Sequence, residues 1–175
     1  MTKRAILLEA LASTPADVER LTRALDETAA VWRPEPDSWS CRDVLNHLCR
    51  MELLYLAHLR RILAENEPSL PALHSAVSRA ADEAAWATRD IMQLAEQFRM
   101  KRATTLTFLQ GLPPAAWQRA AFHEGEGRMT LRFFVQDLVN HDIEHTNQLV
   151  EIQQRRRASL KSQASAALLS GGMGE

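Results

Sequence analysis

Residues 130–149 read TLRFFVQDLVNHDIEHTNQL, and the spacing within this stretch decides the fold. Phe134, Leu138, His141, His145, Leu149 and Ile152 recur at intervals of three and four. At about 100° per residue they form one stripe along a helix. Thr130 stands before the stripe as a cap, and the helix is expected to run from Leu131 to about Arg157. Two stripe positions that the pattern reserves for core hold histidine. Imidazoles four apart lie about 5–6 Å from each other at Cβ and can converge on an ion above the helix surface.

A partner helix precedes it. In Trp39-Ser40-Cys41-Arg42-Asp43-Val44, Ser40 can cap a helix while Asp43 reaches back, a capping box with Asp in the third position. Trp39 and Val44 stand where a hydrophobic staple would pack. This helix should reach about Glu65, burying Val44, Leu48, Met51, Tyr55, Leu59 and Ile62, with His47 at the edge of that stripe. Upstream, residues 3–13 read as a short extra N-terminal helix. Thr14 then caps a helix with Pro15 in its first turn, carried through Val18, Leu21, Leu25 and Ala29 until Arg33-Pro34-Glu35-Pro36 stops it. Pro68 and Pro71 make the connection after Asn66 extended. A further helix begins within 73–80 and runs through Ala84, Ile91, Leu94, Phe98, Thr105 and Phe108 to Gln110, ended by Gly111-Leu112-Pro113-Pro114. Residues 115–129, with Gly125 and Gly127, read as a crossover loop with room for a short hairpin. The Ser- and Ala-rich stretch after residue 158 either frays or extends the last helix.

Composition agrees with an all-α protein. The 175 residues suit one domain, and only six glycines interrupt a chain dominated by helix formers. Net charge is −1, so no broad field steers the chain onto nucleic acid or an anionic membrane. No segment approaches the roughly 20 apolar residues of a membrane span. The N-terminal apolar run is cut short by Glu9 and continues as amphipathic helix, so export is not expected. Cys41 and Cys49, eight residues apart on one helix, are separated by roughly 12 Å, too far for a disulfide. They read as reduced thiols of a cytoplasmic protein.

Three histidines carry the chemistry. His141 and His145 form an HxxxH pair without the glutamate of a zincin protease, because residues 142–144 are Asp, Ile and Glu. A facing helix that brings His47 to the pair gives three neutral nitrogens and leaves coordination positions open. His58 shares roughly the face of His47 but lies about 16 Å further along, and His74 and His123 fall in loops. An isolated HxxxH more often marks surface or hydrogen-bonded core histidines. Its place on an apolar stripe argues the other way, since a buried imidazole must find a partner. From pattern alone the two readings stand level. Asp43 and Asp137, each one turn before a candidate ligand, and Glu144 could orient the imidazoles, in competition with a solvated helix face or, for Asp43, the cap itself. Gln148, one turn beyond His145, could hold water or substrate at the ion. Cys49, about 200° from His47, faces away.

The segment 37–48, DSWSCRDVLNHL, resembles a family motif in which a Trp-Ser cap leads into a helix bearing a histidine seven residues after the serine. The segment 130–149 resembles the same family's closing helix, with its His-Asp-x-x-His and following Gln-Leu. In order, separation and helix context, roughly residues 5–155 resemble the DinB/YfiT-like superfamily. The resemblance implies a four-helix bundle of up-down-down-up topology, its domain spanning 1–158 with 159–175 as a tail. Residues 66–78 would supply the long return that parallel middle helices need. It also implies a divalent ion, Zn²⁺ or Ni²⁺, on His47, His141 and His145. Characterised relatives use low-molecular-weight thiols such as bacillithiol or mycothiol, so the resemblance points to a thiol S-transferase acting on a small-molecule substrate. A metal-dependent hydrolase and a non-catalytic, metal-stabilised stress-response binding protein are the rivals, because fold does not fix function. Relatives are frequently homodimers, and exposed Trp86, Trp117 or Phe122 could be buried that way.

Overall fold

The computed structural model describes residues 2–73 and 89–171. Helix α1 spans Lys3–Thr22, with the Thr2 side chain accepting from the Ala5 N–H. The break expected at Thr14-Pro15 does not occur, so residues 3–13 are not a separate helix. Proline has no N–H to offer the carbonyl four residues back, which is that of Leu11. Arg102 Nη1 donates to it instead across 3.0 Å. Thr14 does not cap; its hydroxyl donates to Asp142 Oδ2 at 2.9 Å. The short extra helix lies after α1 rather than before it: α2 spans Glu27–Val31, started by Asp26, whose carboxylate accepts from the Ala29 N–H.

Helix α3, Cys41–Ala64, begins at the expected capping box. Ser40 Oγ accepts from the Asp43 N–H at 3.2 Å, and Asp43 Oδ2 accepts from the Ser40 N–H at 2.8 Å. Its far end is closed by Arg119, which donates to the Ile62 carbonyl at 2.8 Å and the Glu65 carbonyl at 2.5 Å, satisfying oxygens that have no intrahelical donor. Helix α4 spans Ile91–Gln110 and starts at Asp90, whose side chain takes the Gln93 N–H. The expected start within 73–80, and Ala84 with it, lie outside the described residues. The hairpin is present. Strand β1, Ser69–Leu70, pairs parallel to β2, Ala120–His123, which pairs antiparallel to β3, Gly127–Thr130. The turn between β2 and β3 uses Gly125 and Gly127 at φ of +92° and +75°, backbone that glycine adopts freely. Thr130 Oγ1 accepts from the Phe133 N–H, and α5 then runs 41 residues, Leu131–Gly171. The stretch after Arg157 therefore extends the helix.

Side-chain pairings fix the helix directions. Arg4 meets the carbonyls of Leu109 and Gln110 while Arg102 meets that of Leu11, so α1 and α4 are antiparallel. Thr14 with Asp142 and Gln153 with the Leu21 carbonyl make α1 and α5 parallel. His47 with His141 and Tyr55 with Asp137 make α3 and α5 antiparallel. Cys49 with the Leu94 carbonyl and Glu52 with Arg102 make α3 and α4 parallel. The four-helix bundle is thus up-down-down-up.

Two apolar clusters fill it. One gathers Leu7, Leu11, Tyr55, Leu59, Phe134 and Leu138 with Trp117 from the crossover; the other gathers Val18, Val44, Leu48, Phe98, Leu149 and Ile152. Trp117 is therefore buried and does not offer the exposed surface expected of it. Between the clusters lies a polar level holding Thr14, Glu52, Arg102 and Asp142 with His47, His141 and His145. No helix among the described residues is long and apolar enough to cross a membrane.

Candidate metal centre

The capping box sets where α3 begins, and two turns later its helical periodicity turns His47 toward α5. There His141 and His145 occupy the apolar stripe between Leu138 and Leu149. All three rings are buried, and one ring nitrogen from each lies within 4.8 Å of the others. His47 Nε2 and His141 Nε2 stand 2.8 Å apart. The ring centroids lie 4.4 Å apart for His141 and His145, 4.5 Å for His47 and His145, and 4.9 Å for His47 and His141. Two imidazole nitrogens that share a tetrahedral ion stand about 3.3 Å apart, so the His47–His141 pair has to open by about half an ångström to share one. Three neutral imidazoles facing one another out of water are costly without a cation or proton between them. The residues fit a divalent ion.

Gln148 meets one of the three rings. Its Oε1 lies 2.8 Å from His145 Nδ1. An amide oxygen only accepts, so Nδ1 carries the proton and Nε2 is left as a lone pair for the ion. Asp137 accepts from the Tyr55 hydroxyl at 2.6 Å. Burial, reinforced by that hydrogen bond and by Asp137's charge, pushes the Tyr55 phenol well above its ordinary range. The Tyr55 ring stands edge-on to His141, with centroids 6.0 Å apart, so the pair packs beside that histidine. Asp43 is engaged in the cap and in an ion pair with Arg33 at 2.8 Å. Glu144 is exposed.

Trp39, just before the cap, borders this cluster. Its ring stacks on His145 at 5.7 Å and 12°, and lies 4.9 Å from His47. At 38% exposure it walls the histidines while keeping a face to solvent.

His58 belongs elsewhere: it packs with His123 around Phe134, the three centroids 5.9–6.5 Å apart. Burial, with the neighbouring His123 and Arg61, lowers its pKa to about 4. His74 lies outside the described residues. Both cysteines are buried, which raises Cys41 to about 11 and Cys49 to about 12, so they are neutral thiols. Cys49 Sγ points to the Leu94 carbonyl on α4, away from the histidines.

Next along the chain from His141, Asp142 lies about 100° further around α5 and faces Arg102. It takes both Arg102 Nη1 at 2.6 Å and Nη2 at 2.9 Å, while Arg102 Nε donates to Glu52 at 2.6 Å. Arg102 and Glu52 are each 1% exposed. Burial pushes the Glu52 carboxyl upward against the pull of Arg102. Burial also works against the guanidinium's charge, but Glu52 and Asp142 more than offset it. Sequence reasoning passed over this network. Its signal was a charged residue on an apolar stripe, since Arg102 falls in step with Leu94, Phe98, Thr105 and Leu109.

A sequence profile of the DinB superfamily matches residues 10–149. The solved structure of YfiT from Bacillus subtilis, described as a probable metal-dependent hydrolase with an unusual four-helix bundle topology, is similar with a TM-score of 0.73. The two chains are 18% identical, over 89% of this chain and 90% of that one, so the likeness is one of fold. No curated protein sequence matches this chain.

Proposed function

The chain belongs to the DinB superfamily, and from that membership and its three-histidine cluster we propose a metal-dependent enzyme of the thiol S-transferase kind. The observation that carries the reading is the donor set: three buried imidazoles and no carboxylate in the cluster. Neutral ligands leave the full charge of a divalent cation such as Zn²⁺ or Ni²⁺ uncompensated. When bound, such an ion supplies Lewis-acid stabilisation of a thiolate at neutral pH.

The protein's own groups do the rest. His47, His141 and His145 hold the cation, and Gln148 keeps the His145 lone pair aimed at it. Trp39 closes one side against water and presents an aromatic wall to whatever enters. A low-molecular-weight thiol such as bacillithiol or mycothiol would lose its proton to solvent, and its sulfur would bond to the electrophilic carbon of a small molecule while that carbon's bond to a leaving group breaks and the leaving group carries off the electron pair. A carboxylate free to take a proton from water would favour hydrolysis, and three of the nearby acids are otherwise occupied. Asp137 is bound by Tyr55, Asp142 by Arg102 and Thr14, and Asp43 by its cap.

A second reading, a hydrolase, is favoured by the description of YfiT as a probable metal-dependent hydrolase. The experiment is metal analysis of tag-free protein followed by parallel assays, one of thiol consumption with an alkylating electrophile and one of ester and amide cleavage. Metal-dependent thiol consumption that vanishes in His145→Ala supports the transferase. Cleavage without thiol consumption replaces it with the hydrolase. A loaded protein inert in both is a metal-stabilised binding protein.

A further inference from the structure

His47 comes from α3, and His141 and His145 come from α5, so the three rings converge only while these helices keep their rotation and height relative to one another. The tolerance is narrow. The Nε2 atoms of His47 and His141 stand 2.8 Å apart, against the about 3.3 Å of two imidazoles on one tetrahedral ion. A working site holds its groups to within about 0.5 Å. A side-chain atom lies about 6 Å from its helix axis, so a turn of α5 by about 10° would carry its histidine rings about 1 Å. That is twice the margin.

Apolar burial does not prevent such a turn, because it is non-directional. A guanidinium fork does. Arg102 on α4 directs Nη1 and Nη2 at Asp142 and Nε at Glu52. Asp142 stands between the two α5 histidines, next to His141 and three residues before His145, while Glu52 lies five residues after His47 on α3. The fork is itself anchored to α1. Its Nη1 donates to the Leu11 carbonyl at 3.0 Å, and the Thr14 hydroxyl donates to Asp142 Oδ2 at 2.9 Å. Arg102 and Glu52 are 1% exposed and Asp142 3%, so water does not compete for these bonds. Tyr55 with Asp137 ties α3 to α5 one turn earlier; the Arg102 network adds α1 and α4 to the frame.

We infer, on the three-histidine reading of the site, that Arg102, Asp142 and Glu52 are positioning residues of the metal centre. The guanidinium locks α3 and α5 in the register at which His47, His141 and His145 share one cation. Stability alone is a poor account of this network, because a buried ion pair commonly does no better for a fold than apolar residues of the same volume. What apolar residues do not supply is a fixed angle between the two helices that carry the ligands.

Metal affinity of folded variants tests this, with Co²⁺ as the probe because its visible absorption follows its coordination geometry. Asp142→Asn keeps the shape of the side chain and removes the charge that holds the fork. It should raise the Co²⁺ dissociation constant at least about tenfold, the usual loss when a group that orients a ligand is deleted, and alter the visible spectrum of the bound ion. Thr14→Val cuts only the hydroxyl tie from α1 and should raise the constant by a smaller factor. Helix content and the denaturation midpoint are measured on the same samples, with and without the ion. A purely structural network would lower the midpoints of metal-free and loaded protein equally and leave affinity and spectrum at their wild-type values. That outcome in Asp142→Asn overturns the inference, and should Asp142→Asn misfold, the same outcome in Thr14→Val does so. A wild type whose Co²⁺ affinity survives His145→Ala would instead overturn the three-histidine reading, and with it any role of the network toward the ion.

Discussion

Arg102 Nη1 donates to the carbonyl oxygen of Leu11 across 3.0 Å, and Leu11 is the residue whose carbonyl Pro15 leaves without a helical donor. One side chain on α4 therefore lets α1 continue through a proline. It also holds Glu52 on α3 and Asp142 on α5. All four long helices meet at this guanidinium, and its partner Asp142 stands one residue along the chain from His141.

Removing the guanidinium is expected to be severe. Arg102→Met strands two buried acids and one carbonyl, and breaking a buried ion pair from one side costs about 3–5 kcal/mol. Chemical denaturation should show that loss, with Arg102→Lys recovering only part of it because an ammonium lacks the fork. Glu52→Gln should cost less than Asp142→Asn, since burial already disfavours the Glu52 charge. A loss below about 1 kcal/mol for Arg102→Met would show that the network carries no net stability.

Gln148→Leu is expected to weaken metal binding about 10–100-fold, the usual effect of deleting the group that orients a ligating imidazole. Gln148→Glu, which keeps an acceptor opposite His145 Nδ1, should retain affinity. Competition with a colorimetric chelator measures both. Equal affinity for Gln148→Leu and the wild type would remove Gln148 from the site.

Much of this was legible beforehand because it is written locally. The Ser40–Asp43 box, the Thr130 cap and the spacing of His141 and His145 are short-range patterns, and the expected capping hydrogen bonds formed. What escaped depends on residues far apart in sequence. Thr14-Pro15 is a sound restart signal, overruled by an arginine 87 positions after the proline. Trp39 reads as a staple for its own helix, and only the approach of α5 shows that His145 lies beneath it. Arg102 looks like one more solvated charge until Asp142 and Glu52 are brought around it.

The thiols are expected to be bystanders. Burial keeps Cys41 and Cys49 protonated, at about 11 and 12, and thiolate is the form that binds metal or attacks. Cys49→Ser should leave metal content unchanged, and native protein should react slowly with a thiol-specific disulfide reagent until unfolded. Loss of the ion in Cys49→Ser would mean a different ligand set.

His58 gives a pH dependence separate from the metal. An unfolded histidine titrates near about 6.5, whereas burial holds His58 at about 4 in the fold. The folded state binds fewer protons in that interval, so stability is intact above about 6.5 and falls as pH drops toward about 4. On metal-free protein, His58→Gln should flatten the decline of the denaturation midpoint across this window and change little at pH 8. An unaltered slope would show that His58 is solvated.

The metal should stabilise the bundle through the same three rings that define its site. His47, His141 and His145 are buried and face one another, so the metal-free fold must keep three imidazoles out of water without their cation. Free metal at 100 times its dissociation constant adds about 2.7 kcal/mol. An ion competes with protons for the ring nitrogens. The increment is therefore present above the about 6.5 of free histidine and shrinks as pH falls below it. Chelation should lower the melting temperature at pH 7.5, and the gap between chelated and loaded protein should close toward pH 5. His145→Ala should melt like chelated protein and show no further response to chelator, while His58→Gln, in the other histidine cluster, should keep the full response. Coincident melting curves at pH 7.5, on protein whose metal loss has been verified, would show that the helices pack around the three imidazoles equally well without the ion.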